Sequence, residues 1–187
     1  MAIKIYIDQG HNPINPNAGA EGNGLREQDI VFRIGIELAE LLRADGNFEV
    51  MLSRPTASTQ IGTSNASSLA ARVNAANSFG ADAFISLHTN AATAASATGS
   101  EAFVFSRPSA AYNLAEDILR RMTEATGLNN RGVFVRSGLY VLRKTRMPAT
   151  LLELGFITNP RDAALMNENP ALFATGIYQG IRDYFNL

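Results

Sequence analysis

The chain has 187 residues, of which 46% are hydrophobic and 18% charged, and these values fit one globular domain over residues 1–187. Its formal net charge of −1, without a dense Lys/Arg block, argues against nucleic acid as a partner, and no apolar run is long enough to span a bilayer. Cysteine is absent, which excludes disulfides and thiolate metal ligands, so any zinc would have to be held by nitrogen and oxygen.

Strands and helices are predicted to alternate along the chain, because short apolar runs alternate with segments whose apolar residues recur at helical spacing. In chain order we expect a strand over 3–7, a loop over 12–24, a helix over 26–43 that stops at Gly46, a strand over 48–52, a helix through Leu69, Val73 and Ala76 that ends near Gly80, strands over 83–87 and 101–105, a helix through Leu114, Ile118 and Met122 closed by Gly127, strands over 139–142 and 150–154, and a C-terminal helix from Phe173 to Phe185. This order predicts an α/β fold: a single domain with a mostly parallel, twisted sheet of about six strands and helices on both faces.

The two histidines of the chain each end a predicted strand region, His11 after the first strand and His88 after the strand over 83–87. Functional sites of open α/β sheets gather beyond the carboxyl ends of the strands, so both imidazoles are expected at one edge. Glu27 lies in the first turn of the first long helix and is expected to face the same edge. Two imidazoles and one carboxylate would leave a fourth position on a zinc ion for water, as catalytic zinc requires.

Each of these residues also has an ordinary structural interpretation. A histidine beside a strand end is more often a hydrogen-bonded polar residue than a metal ligand, and a glutamate in a first helical turn usually interacts with the helix dipole. Glu153 differs, because it stands inside the apolar run 149–156, where a carboxylate is costly to bury unless it is paired or lies at a metal. Taken singly, the residues leave both interpretations open.

Four segments that carry these residues follow one another along the chain: Asp8-Gln9-Gly10-His11, Gly24-Leu25-Arg26-Glu27-Gln28-Asp29, Ile85-Ser86-Leu87-His88-Thr89-Asn90-Ala91 and Leu152-Glu153-Leu154-Gly155-Phe156-Ile157-Thr158-Asn159. In this order they resemble the zinc-dependent N-acetylmuramoyl-L-alanine amidases of the amidase-3 type, and the resemblance runs from about Ile3 to Phe185. It implies that His11, Glu27 and His88 are zinc ligands and that Glu153 is the catalytic acid–base.

The resemblance also implies a substrate and a place of action. The expected reaction is zinc-dependent hydrolysis of the amide bond between the lactyl group of N-acetylmuramic acid and L-alanine of the peptidoglycan stem peptide. Such an autolysin or endolysin acts at the bacterial cell wall, outside the cell or in the periplasm, and a monomer is favoured. No charged-then-apolar export segment precedes the first strand, so we expect either that this export route is not used or that a leader has been removed.

Two segments depart from the family pattern. Residues 12–19 replace the usual Gly-Gly and short Asp-x-Gly loop, which puts the loop that faces the substrate in doubt but not the ligand. The predicted strand over 101–105 runs almost directly into the next helix, where some periplasmic relatives insert a helix that plugs the zinc site. We therefore expect an open site.

Five further residues are candidates for supporting roles. Asp8 or Asn90 is expected to orient an imidazole through its second ring nitrogen. Glu101 either reaches the site or is a solvated carboxylate at a strand end. Arg131 and Arg143 either bind carboxylates of the substrate or lie on the surface.

Other functions remain open from the sequence. A zinc carboxypeptidase-like peptidase would share the architecture, but such enzymes resemble a His-x-x-Glu pattern, and no Glu stands three residues after His11 or His88. A catalytically silent module that binds the cell wall is a second alternative, against which the presence of all four site residues argues. A phosphate-binding protein built on residues 8–12 would need a Gly-rich loop followed by Lys-Ser or Lys-Thr, which the chain does not have.

Overall fold

Strands and helices alternate along residues 2–187, the part of the chain that the structure, a computed structural model, describes. In chain order the elements are β1 (Ile3–Gln9), β2 (Glu21–Gly22), β3 (Leu25–Arg26), α1 (Glu27–Asp45), β4 (Phe48–Leu52), α2 (Asn65–Phe79), β5 (Ala83–Asn90), β6 (Ser100–Val104), α3 (Ala110–Thr126), β7 (Asn130–Val135), α4 (Tyr140–Lys144), β8 (Ala149–Phe156), α5 (Pro160–Glu168) and α6 (Pro170–Phe185).

Six strands form one sheet in the order β4-β1-β5-β8-β6-β7, and β2 pairs with β3 in a separate two-stranded ribbon. Neighbouring strands of the main sheet are parallel except for β6 and β8, which are antiparallel. The carboxyl ends of β1, β5 and β8 therefore lie at the same edge as the amino ends of β6 and β7. This arrangement confirms the predicted mostly parallel sheet and places the site residues along one edge.

Helices cover both faces of the sheet, as predicted. On one face α1, α3 and α6 pack over a large apolar cluster with the inward side chains of β1, β5, β6 and β8. On the other face α2 and α4 pack over a smaller cluster that contains Tyr6, Phe84, Phe103 and Leu151. Because α4 is short, this second face is covered over only part of the sheet.

The predicted strand over 139–142 is wrong, since residues Tyr140–Lys144 form the helix α4. A single helical turn buries the adjacent Val141 and Leu142 against the second cluster, whereas a strand would point one of them to each side. The sixth strand of the sheet is instead β7, an edge strand with a mostly exposed or half-buried sequence that carries little apolar pattern. Helix α5 was also not predicted, although Asn159 followed by Pro160 forms its cap.

The ribbon of β2 and β3 was not predicted either, because residues 12–24 were expected to form a loop and the first helix was expected to begin at Arg26. The other elements agree with the sequence within a few residues. Strand β5 extends to Asn90, so His88 lies inside this strand rather than beyond it, and β8 contains Glu153 as predicted. Only residues 105–109 connect β6 to α3, so no inserted helix stands at this point, as expected. Within residues 2–187 no helix combines the length and the apolar character that crossing a membrane requires.

Candidate active site

The fold brings His11, Glu27 and His88 together from β1, α1 and β5. Glu27 Oε1 lies 3.2 Å from His11 Nε2 and 3.0 Å from His88 Nδ1, and the candidate ligand atoms of the three residues lie within 4.8 Å of one another. The two imidazole rings are nearly perpendicular, with centroids 4.8 Å apart. Glu27 and His88 are 61 positions apart in the chain, and the fold thus brings distant residues together at the predicted edge of the sheet.

The carboxylate of Glu27 is held in place by backbone amides. Its Oε1 accepts a hydrogen bond from Thr89 N at 2.9 Å, and its Oε2 accepts one from Ala20 N at 2.9 Å. Burial by itself raises the pKa of Glu27, but the hydrogen bonds from His11 and His88 hold this pKa well below its usual range. Glu27 is therefore an ionised, fixed acceptor, as a metal ligand must be.

Glu27 also acts on the neighbouring imidazole. Burial alone lowers the pKa of His88, but the hydrogen bond and the charge of Glu27 outweigh it and raise the pKa of His88 above its usual value. Without a metal ion, the carboxylate thus favours a protonated His88. A cation that replaces this proton would find both imidazoles and the carboxylate already close together.

His11 sits on a loop that a buried arginine holds. Its backbone is in the left-handed region, with φ 66°, and its carbonyl oxygen accepts a hydrogen bond from Arg72 Nη2. Arg72 Nη1 also donates to the carbonyl of Gln9 at 2.7 Å and to Asp8 Oδ1 at 2.5 Å. Arg72 is 1% exposed and comes from α2, so this helix fixes the conformation from which His11 reaches the site.

Glu153 lies beside this cluster on the neighbouring strand. It is paired with His88 across β5 and β8, and residues paired in this way point to the same face of the sheet. Its Oε2 is buried without a hydrogen-bond partner among residues 2–187. Burial raises the pKa of Glu153 to about 7, against the opposing charge of His88. A carboxyl group with this pKa can both accept and release a proton near neutral pH.

The three clustered residues fit a zinc ion. Two imidazoles and one carboxylate make an N₂O donor set, which catalytic zinc sites use with a fourth position left for water. The Oε2 of Glu153 is an acceptor next to this set, and no donor from residues 2–187 is hydrogen-bonded to it. The same four residues were singled out from the sequence, and the structure shows them adjacent to one another.

Two of the five supporting candidates, Asp8 and Asn90, differ from the expectation. Asp8 accepts hydrogen bonds from Arg72 and from Ser86 Oγ, and Asn90 Nδ2 donates to Glu101 Oε1, so neither is hydrogen-bonded to an imidazole. The sequence analysis assigned no role to Arg72, although it lies three residues after Leu69 on the buried face of a predicted helix. It also missed the backbone amides that hold Glu27, for which a side-chain pattern contains no information.

Comparison with known proteins identifies the family of the chain. The sequence model of a family described as N-acetylmuramoyl-L-alanine amidase matches residues 5–183. The N-acetylmuramoyl-L-alanine amidase CwlM of Bacillus licheniformis is 34% identical over 189 residues, which are 99% of this chain and 70% of that protein. The amidase LytC of Bacillus subtilis (strain 168) is 35% identical over 181 residues, 96% of this chain but 34% of LytC. The chain therefore spans about a third of the length of this second relative.

A solved structure of an amidase shares the fold of this chain. The N-acetylmuramoyl-L-alanine amidase from Clostridium difficile 630 superposes with a TM-score of 0.88 at 30% identity, covering 99% of this chain and 97% of the other. The family match covers nearly the whole chain. The chain belongs to the N-acetylmuramoyl-L-alanine amidase family of hydrolases.

Proposed function

We propose that this chain is a zinc-dependent enzyme that hydrolyses the amide bond between the lactyl group of N-acetylmuramic acid and L-alanine in peptidoglycan, with residues 1–187 as the catalytic domain. The observation that carries the proposal is the convergence of His11, Glu27 and His88 beside Glu153, whose Oε2 has no hydrogen-bond partner in the described part of the chain, residues 2–187. Cleavage of this bond would take place at the bacterial cell wall.

The metal ligands of the proposed enzyme are His11, Glu27 and His88. A zinc ion bound there would supply Lewis acidity, lowering the pKa of a water molecule and polarising the amide carbonyl. Glu27 contributes one negative charge to this set, so the ion would be a milder Lewis acid than one held by three imidazoles. A separate proton acceptor is therefore needed.

Glu153 is the proposed proton carrier. Its partnerless oxygen can accept a proton from the attacking water, and its raised pKa favours holding that proton at neutral pH. The protonated carboxyl then donates the proton to the amine of L-alanine as the carbon–nitrogen bond breaks. The products are the glycan strand and a free stem peptide, and no covalent bond to the protein forms.

The experiment that tests the proposal is digestion of purified peptidoglycan by the chain, followed by mass spectrometry of the products. We expect peptides that begin with L-alanine together with uncleaved glycan strands, and a loss of turbidity. Release of C-terminal residues would instead identify a carboxypeptidase, and binding without cleavage would identify a wall-binding module.

Dependence on zinc is tested on the same substrate. A chelator should abolish the release of peptides, and zinc added in excess over the chelator should restore it. Hydrolysis that proceeds equally with and without the chelator would remove the metal from the mechanism.

A further inference from the structure

One part of the sheet next to Glu153 is left uncovered by helices. On the face that α2 and α4 cover, β6 and β7 extend beyond both helices, and Phe134 is 45% exposed. A groove of about 440 Å³ lies over these strands, and the residues that line it are Glu101, Phe103, Arg131, Phe134, Val135 and Arg136.

This groove begins at the proposed proton carrier. Glu101 pairs with Glu153 across β6 and β8, and Phe103 pairs with Leu151, so these side chains share one face of the sheet. The residues at the site edge of the sheet follow the order of the strands β1, β5, β8, β6 and β7, and in that order they are His11, His88, Glu153, Glu101 and Arg131. The groove is therefore the continuation of the site on the side of Glu153 that faces away from the histidines.

The groove carries an uncompensated positive charge. Arg131 is paired with Glu101 at 2.8 Å, and its guanidinium lies over the Phe156 ring, 5.0 Å from the centroid. The guanidinium of Arg136 lies over the Phe103 ring, 5.0 Å from the centroid, and forms no ion pair within residues 2–187. One charge of the groove is thus neutralised by the protein, and the other is available to a ligand.

The chemistry of the reaction decides which half of the substrate lies there. Glu153 gives its proton to the amine of L-alanine, so the peptide leaves from the Glu153 side of the site. The stem peptide carries an acidic second residue, whose carboxylate is free unless it has been amidated. An anionic peptide with aliphatic portions matches one unpaired guanidinium beside the exposed ring of Phe134.

We propose that this groove binds the stem peptide of the substrate, with Arg136 paired to the carboxylate of the acidic second residue and Phe134 in contact with its aliphatic chain. The inference rests on the proposed function, because it assigns the peptide side of that reaction. It names Arg136 as a residue that determines preference between acidic and amidated peptides.

The test is a binding titration of the purified protein with the tripeptide L-Ala-γ-D-Glu-L-Lys, with either a free or an amidated glutamyl α-carboxyl group. The wild-type chain should bind the free acid about tenfold more tightly than the amide, as one charge-assisted hydrogen bond allows. Arg136→Ala should bind both peptides equally weakly. Arg43→Ala, which removes the same charge from an exposed position at the end of α1, should retain the wild-type preference.

Two outcomes would overturn the inference: an Arg136→Ala variant that still prefers the acid, or a wild-type chain that does not distinguish the peptides. The readout is binding rather than turnover, so it is separate from the proposed function. Failure of that function would appear as absence of amide cleavage in the peptidoglycan digest.

Discussion

The backbone of Gly10 lies directly against the imidazole of His88. A Cβ atom on Gly10 would stand 2.5 Å from His88 Cε1 and 2.6 Å from the carbonyl oxygen of Leu87, distances that real Cβ atoms do not reach. Gly10 N also donates to that carbonyl at 3.0 Å, which ties the end of β1 to β5 just before His11. The close approach of the two histidines therefore depends on the absence of a side chain at residue 10.

Gly10→Ala should accordingly lose zinc, because the new methyl group has to displace either His88 or the strand that carries it. We expect a loss of bound metal together with a destabilisation of about 1–3 kcal/mol, the usual cost of overpacking. Zinc content after dialysis and the Tm measure the two effects. Gly138→Ala is the matched control, since its Cβ would meet nothing within 4 Å. Full zinc occupancy in Gly10→Ala would contradict this account of the site.

The sequence was informative where one strand or helix end determines the position of a residue. His11, His88 and Glu153 belong to apolar runs, and the parallel order of their strands brings them to one edge. The predicted start of the first long helix likewise gave the position of Glu27 at this edge. The hydrogen bonds that hold these site residues in place join distant parts of the chain, such as the one from Thr89 N to Glu27 Oε1. No local sequence pattern contains information about such a contact.

Errors arose where the local pattern is short. The apolar residues of 139–142 fit a strand or a helical turn equally well, and only the surface of the second cluster favours the turn. The edge strand β7 has one neighbour and a mostly exposed sequence, so hydrophobic alternation does not reveal it. Arg131, at its start, consequently had no predicted position next to Glu101.

Arg72 is expected to be essential for stability, because it is a buried charge with a buried partner. Its removal leaves Asp8 unpaired and the carbonyl oxygens of Gln9 and His11 without their donor. We expect Arg72→Ala to lose about 3–5 kcal/mol of unfolding free energy, the usual cost of breaking a buried ion pair. Urea unfolding in the presence of a chelator measures this loss separately from zinc binding. Arg161→Ala, at an exposed position of α5, is the control.

The loss of unfolding free energy in Arg72→Ala should become smaller as the pH is lowered. Burial raises the pKa of Asp8, but Arg72 outweighs it and lowers this pKa below the unfolded value, so the stability from ionised Asp8 is present above that value and lost at lower pH. Without Arg72, burial keeps Asp8 protonated to higher pH, and acid relieves the penalty. The difference between wild type and Arg72→Ala should therefore be largest near pH 8 and smaller at pH 4. An unchanged difference would show that Asp8 is not the partner that matters.

Glu153→Gln should retain zinc and lose amide hydrolysis, because it removes the proposed proton carrier and leaves the proposed ligands His11, Glu27 and His88 unchanged. We expect a reduction in kcat of at least about a hundredfold, within the range of general acid–base catalysis. His88→Ala is the contrasting variant and should lose metal and activity together. Metal analysis beside a muropeptide assay separates the two cases, and undiminished turnover in Glu153→Gln would exclude the proposed role.

The same substitution should stabilise the metal-free protein at alkaline pH. Burial raises the pKa of Glu153 to about 7, above its unfolded value, so the folded state binds more protons between these values. The contribution of Glu153 to stability therefore falls as the pH rises through this range and stays low above it. Glu153→Gln carries no such charge and should match wild type near pH 4.5.

Near pH 8, Glu153→Gln should exceed wild type by up to about 3 kcal/mol in the presence of a chelator. Urea unfolding at the two pH values measures the difference, and Glu168→Gln, the same change at an exposed position of α5, is the control. A Glu153→Gln variant that is no more stable at pH 8 than at pH 4.5, relative to wild type, would show that the carboxylate is not strained by burial. The expected result would mean that the fold gives up stability to keep a proton acceptor beside the metal ligands.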